Sequence, residues 1–193
     1  VELDGQVTAM VQEDLAAFSG RPYTAAGVQL HVAEARGFVA ATRERFDLIQ
    51  VALLDTFGGS AAGLGSLSES SLYTVEALES YLARLAPGGL LAFTRWVTLP
   101  PRDSLRLFAT AVTALERRGV AEPGRALAMI RGWNTTTLLV KNGAFSAAEV
   151  SVIRDFSRQH SFDTVHVHGI AADDANVYNV LERDDFFTGT QAL

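Results

Sequence analysis

A chain of 193 residues that is 48% hydrophobic and 20% charged has the make-up of a folded globular protein, not of a disordered one. Its net charge of −6 argues against nucleic acid or an anionic membrane surface as the main partner. There is no cysteine for disulfide or thiolate chemistry, and the apolar runs are strand-sized, well short of the ~20 residues that span a bilayer. With no internal repeat, linker or low-complexity block, residues 1–193 are expected to form one domain.

Val1-Glu2-Leu3-Asp4 reads as the tail of a buried strand ending in a carboxylate. In nucleotide-binding α/β folds such an acid grips the ribose hydroxyls, about 20 residues after a glycine-rich turn. The first strand and that turn are therefore expected to precede Val1. Val7, Met10, Val11, Leu15 and Phe18 follow a helical period, stopped by Ser19-Gly20-Arg21-Pro22. Residues 28–32 alternate like a short strand, and residues 35–42 suit a helix. Residues 46–54 are nearly all apolar, as in a strand covered on both faces. A Gly/Ala/Ser-rich loop follows, then a helix over 72–85, ended by Pro87-Gly88-Gly89, and a buried strand over 90–96.

Asp103 is placed to cap a helix with the stripe Leu105, Phe108, Ala109, Val112 and Leu115, closed at Gly119. Residues 126–130 and 135–140 bracket Arg131-Gly132-Trp133-Asn134 as a hairpin. Ser146 and Glu149 have capping-box spacing for a helix through Arg158. A last strand over 162–167 and a short helix over 174–181 complete the chain. Alternating strands and helices predict an α/β fold with a mostly parallel sheet. The late antiparallel hairpin points to the methyltransferase-type variant of the Rossmann fold.

In such sheets ligands sit outside the carboxyl ends of the strands. Three acids stand at those ends: Glu2, Glu34 and Asp55. Glu2 suits ribose hydroxyls, or is a solvated acid near a helix start. Glu34 could accept a hydrogen bond from an adenine amino group, or stabilise a helix dipole. Asp55 could hold a substrate amine or take its proton, or merely turn the chain.

Val1-Glu2-Leu3-Asp4, Ala33-Glu34-Ala35-Arg36, Phe46-Asp47-Leu48-Ile49 and Leu85 through Leu90 together resemble the spermidine synthase (polyamine aminopropyltransferase) family. Tyr73 to Glu76, Thr94 to Trp96, Pro101-Arg102 and the stretch from Ala172 to Asn179 look like divergent spermidine-synthase-like domains of larger bacterial proteins, some with membrane segments. The resemblance implies that Glu2 binds the ribose of an adenosyl cofactor, with Glu34-Ala35 at the adenine. That cofactor would be decarboxylated S-adenosylmethionine or S-adenosylmethionine, bound weakly or not at all without the glycine loop, and no metal is implied. The partner implied is a polyamine, held by Asp55, and not nucleic acid or a membrane. A cytoplasmic location follows, or the cytoplasmic side of a membrane-anchored protein, and a homodimer is left open.

The family's first strand-end aspartate, the base that deprotonates the attacking amine, falls on Ala52. A methyl group takes no proton, and losing a general base costs about 10²–10⁴ in rate. Glu69 or Glu76 are the nearby acids that could replace it. Two other readings therefore stand: a catalytically degenerate sensing or interaction module, and a small-molecule methyltransferase working by proximity and orientation. Among other residues, His166 and His168, with Asp163 before them, lack further metal ligands and read as the exposed face of an edge strand. Trp96 and Trp133 read as gap fillers, and Arg95 and Arg102 as salt-bridge partners.

Overall fold

In the computed structural model, which describes residues 1–53 and 71–193, the chain divides into two units, Val1–Arg43 and Glu44–Leu193. In the first, the Asp4 side chain caps α1 (Gly5–Gln12), accepting the Gln6 N–H at 2.7 Å. The single helix expected over residues 7–18 is broken. It resumes as α2 (Ala16–Ser19), which closes on the left-handed Gly20 (φ 74°). Met10, Leu15 and Phe18 stay exposed, so little packing holds the two pieces in register. Beyond a 3-10 turn (Pro22–Thr24), Glu34 caps α3 (Ala35–Ala41).

The two strands expected in this unit shrink to one parallel bridge, Glu2 with Val32. Glu2 N–H donates to the His31 carbonyl and Ala33 N–H to the Glu2 carbonyl, both at 2.9 Å. Val1, Leu3, Val28 and Val32 are exposed, which corrects the expectation of a buried strand. Each segment is cut short because the next few residues turn into a capped helix.

The second unit holds a five-stranded mixed sheet, among the described residues, in the order β1-β2-β4-β3-β5. The strands are β1 (Phe46–Val51), β2 (Leu85–Trp96), β3 (Leu127–Arg131), β4 (Thr135–Lys141) and β5 (Asp163–His166). Only β1 and β2 run parallel; β2–β4, β4–β3 and β3–β5 are antiparallel. The parallel share is thus smaller than the sequence pattern suggests, whereas the hairpin of β3 and β4 forms where expected. Among the described residues β1 is an edge strand and Leu48 is 53% exposed, so it is not covered on both faces.

Strand alternation sorts the side chains into two layers. Leu91, Phe93, Thr136, Leu138 and Val140 face α4 (Val75–Arg84) and α5 (Arg102–Arg117), where Tyr81 lies against Phe93 and Ser104 hydrogen-bonds Thr136 at 3.0 Å. Ala128 and Leu139, on the other face, pack with Val150 and Ile153 of α6 (Ala147–Gln159). Ser146 and Glu149 form the expected capping box there. The first helix residue of α5 is Arg102, so Asp103 sits in its first turn and is not its cap.

Pro87-Gly88-Gly89 does not separate helix from strand; β2 runs through it. The register shifts there, Phe46 facing Leu85 and Leu48 facing Leu90. Gly88 takes φ 78°, and a Cβ on Gly89 would stand 2.9 Å from the Phe46 carbonyl oxygen. These two glycines let β1 and β2 approach each other across the irregularity.

No helix forms over residues 174–181. A 3-10 turn (Ala172–Asp174) leads instead into a loop whose backbone is held by Asp163. That carboxylate accepts the amide N–H groups of Val177, Tyr178 and Asn179 at 2.6, 2.8 and 2.9 Å. Arg131, which the hairpin reading placed in a turn, ends β3 buried and pairs with Asp163 at 2.9 Å. Arg131 also donates to the Asn179 carbonyl and lies over the Phe186 ring. Phe186 belongs to α7 (Asp185–Gln191), a helix the hydrophobic pattern did not suggest.

Candidate functional site

Within the amino-terminal unit the Glu2–Val32 bridge fixes two carboxylates at the ends of adjacent parallel segments. Glu2 is half-buried, and its Oε1 accepts the Asp4 N–H at 3.0 Å. Its Oε2 has no hydrogen-bond partner among the described residues, so one face of the carboxylate is oriented but unspent. Glu34, two residues beyond the bridged Val32, is exposed. Its Oε1 accepts from Arg36 N–H at 2.9 Å and its Oε2 from Gly37 N–H at 2.6 Å. This is the N-terminal role that was the plainer reading of Glu34, and each oxygen keeps a lone pair for a further donor. Ala35 opens α3 and is exposed, offering no bulk beside Glu34.

Glu2 thus offers a free carboxylate oxygen and Glu34 a further pair of acceptor lone pairs. The bridge brings the sequence-predicted pair Glu2 and Glu34 together; Asp55 and Glu69 lie outside the described residues.

In the carboxy-terminal unit the ends of β1 and β2 carry Ala52 and Trp96. Ala52 is exposed and brings no proton acceptor. Arg95 on β2 lies over the Tyr73 ring, 4.4 Å from its centre, and Tyr73 in turn contacts Phe93. Glu76 on α4 is bound to Arg117 of α5 at 3.2 Å. A backbone hydrogen bond, with Arg117 reinforcing it, holds its carboxyl below the ordinary range and makes it a weaker base. Trp133, at the hairpin tip, is 83% exposed and fills no gap.

The histidine reading changes too. His166 faces inward, its ring edge-on to Phe108 at 4.9 Å and its Nε2 3.1 Å from the Gly124 carbonyl. His168 lies past the end of β5 and is exposed. Burial pushes the His166 pKa down, against the Gly124 hydrogen bond. Asp163 is taken up by Arg131 and the loop amides. Among the described residues no three potential ligands gather for a metal, and no helix is long and apolar enough to cross a membrane.

No family model matches the sequence, and no curated protein matches it. Among solved structures it is similar to a probable spermidine synthase from Corynebacterium glutamicum ATCC 13032, with a TM-score of 0.53 and 21% sequence identity. The match covers 80% of this chain but 51% of the other, so the chain spans about half of that protein's length. The fold is therefore spermidine-synthase-like, a Rossmann-like α/β architecture of the methyltransferase type.

Proposed function

We propose that the chain is a polyamine aminopropyltransferase-like domain whose Glu2 and Glu34 bind the nucleoside part of an adenosyl cofactor. One observation carries the reading: the parallel Glu2–Val32 bridge sets two carboxylates at neighbouring segment ends, with Oε2 of Glu2 uncommitted. The fold likeness to a probable spermidine synthase supports the same reading. Glu2 accepts from the ribose hydroxyls while Asp4 N–H fixes its orientation. Glu34 accepts from the adenine amino group, and the small Ala35 leaves room beside it. Bound decarboxylated S-adenosylmethionine supplies an electrophilic aminopropyl carbon, and Asp55 draws the cationic polyamine by charge.

Ala52 favours a second reading, a module that binds the cofactor without turnover. It stands exposed at the end of β1, where the resemblance asks for a base. An assay with decarboxylated S-adenosylmethionine and putrescine separates the two. Release of methylthioadenosine together with spermidine supports transfer. Cofactor binding without either product supports the module, and absence of both binding and product contradicts each reading.

A further inference from the structure

A separate cleft of about 320 Å³ lies in the carboxy-terminal unit, between one face of α6 and the segment that follows β5. That volume is at the low end of the ~300–1,000 Å³ usual for small-molecule sites. Arg154, Ser157 and Arg158 line it from α6, at the i, i+3, i+4 spacing that puts side chains on one helix face. Phe162 and Tyr178 add aromatic walls, and Asp173 lies on the opposite side of the chemistry, as an acid.

Two buried polar groups in this lining are unspent. Ser157 is only 2% exposed, and its hydroxyl has no hydrogen-bond partner among the described residues. The Nε–H of Arg154 is likewise buried without an acceptor among the described residues, although its other nitrogens reach Asp174 at 3.5 Å and the Gly169 carbonyl at 3.3 Å. A buried polar group left unpaired costs about 1–3 kcal/mol, so such groups in a cleft call for a partner. What both can satisfy is an acceptor oxygen. Arg158, tied to Asp155 at an exposed pair, adds positive charge on the same side.

A simple anion does not match the rest of the lining. Asp173 and Asp174 balance the two arginines, and Asp173 has no side-chain partner among the described residues. The cleft thus offers donors at α6 and a spare carboxylate from the segment after β5.

We propose that this cleft binds a small zwitterion of the amino-acid class, its carboxylate on Ser157 and Arg154 and its ammonium on Asp173. The aromatic walls of Phe162 and Tyr178 take the side chain. The site is independent of the Glu2 and Glu34 carboxylates and does not rest on the proposed transferase function.

Thermal-shift and calorimetric titrations with the common free amino acids test it, alongside isobutylamine and isovalerate, which carry only the ammonium or only the carboxylate of valine. At least one amino acid is expected to raise the melting temperature and to give saturable heat, with both half-ligands at least tenfold weaker. Ser157→Ala and Asp173→Asn should each weaken that binding about tenfold. Ser157→Ala should not destabilise the free protein, since the lost hydroxyl has no partner among the described residues. Failure of every amino acid, equal binding by a half-ligand, or unchanged affinity in both variants overturns the proposal. Asp173→Asn changes an exposed side chain, so the test survives if Ser157→Ala folds poorly.

Discussion

The carboxylates of the two units are used in opposite ways. Asp163 is buried in the second unit, with both oxygens committed to three loop amides and to Arg131. Among the described residues, Glu2 and Glu34 in the first unit accept hydrogen bonds only from backbone N–H groups within three residues, and Glu2 keeps an oxygen uncommitted. An acid that organises distant backbone has no capacity left for a ligand. One held only by its own neighbours is oriented yet available. The contrast separates a structural carboxylate from a candidate binding one without reference to residue type.

The largest expected effect breaks the structural side of that contrast. Asp163→Ala strands the Arg131 guanidinium in the interior and frees the amides of Val177 to Asn179. Removing one partner of a buried ion pair costs about 3–5 kcal/mol. Chemical denaturation should show a loss of that size, with greater amide exchange at residues 177–179. Glu2→Gln in the other unit should leave the unfolding free energy within about 0.5 kcal/mol of wild type.

Gly89→Ala comes next. The new Cβ would meet backbone, the Phe46 carbonyl oxygen at 2.9 Å, and backbone cannot swing aside as a side chain can. Overpacking of this kind costs about 1–3 kcal/mol and should loosen the amide protection of β1 more than that of β4.

Glu149 gives a smaller effect. Its hydrogen bond to Lys141, followed by those to Ser146, pulls its pKa down to about 2. A carboxylate whose pKa falls on folding stabilises the protein above its unfolded value of about 4.3, and that contribution fades as pH drops toward 2. The Glu149 side chain is 44% exposed, so solvent screening keeps the pair near 1 kcal/mol. Glu149→Gln should lose about that much at pH 7, and the difference from wild type should vanish near pH 2.

The smallest effect is that of His166. Burial lowers its pKa, so the unfolded chain takes up a proton at a higher pH than the native one. Stability is therefore flat above the unfolded value of about 6.5 and declines as pH falls below it. His166→Gln should remove that part of the slope in denaturation curves recorded between pH 5 and 8.

What was legible in the sequence was local. The Ser146–Glu149 box and the hairpin around Gly132 depend on residues a few positions apart, and both form as read. The helix expected over 174–181 failed for a distant reason. Asp163, at least 14 residues earlier, takes the amide hydrogens a helix would use. The same pair buries Arg131, which looked like a turn residue because its partner lies 32 positions away. α7 did have a local signal, Asp184 capping Phe187 N–H at 3.1 Å ahead of the buried Phe186, but the segment is too short for a periodic stripe. At the candidate site, Glu2 and Glu34 were legible as strand-end acids. That a single bridge joins their segments was not, because two backbone hydrogen bonds leave no side-chain pattern.

The most direct measurement is calorimetric titration of wild type and Glu2→Gln with 5′-methylthioadenosine, which presents the ribose and adenine without the transferable group. The account predicts saturable binding to wild type and a loss of about ten- to a hundredfold in the variant, the size expected for a charge-assisted hydrogen bond. Equal affinity in the two proteins, or no heat with wild type, would contradict it.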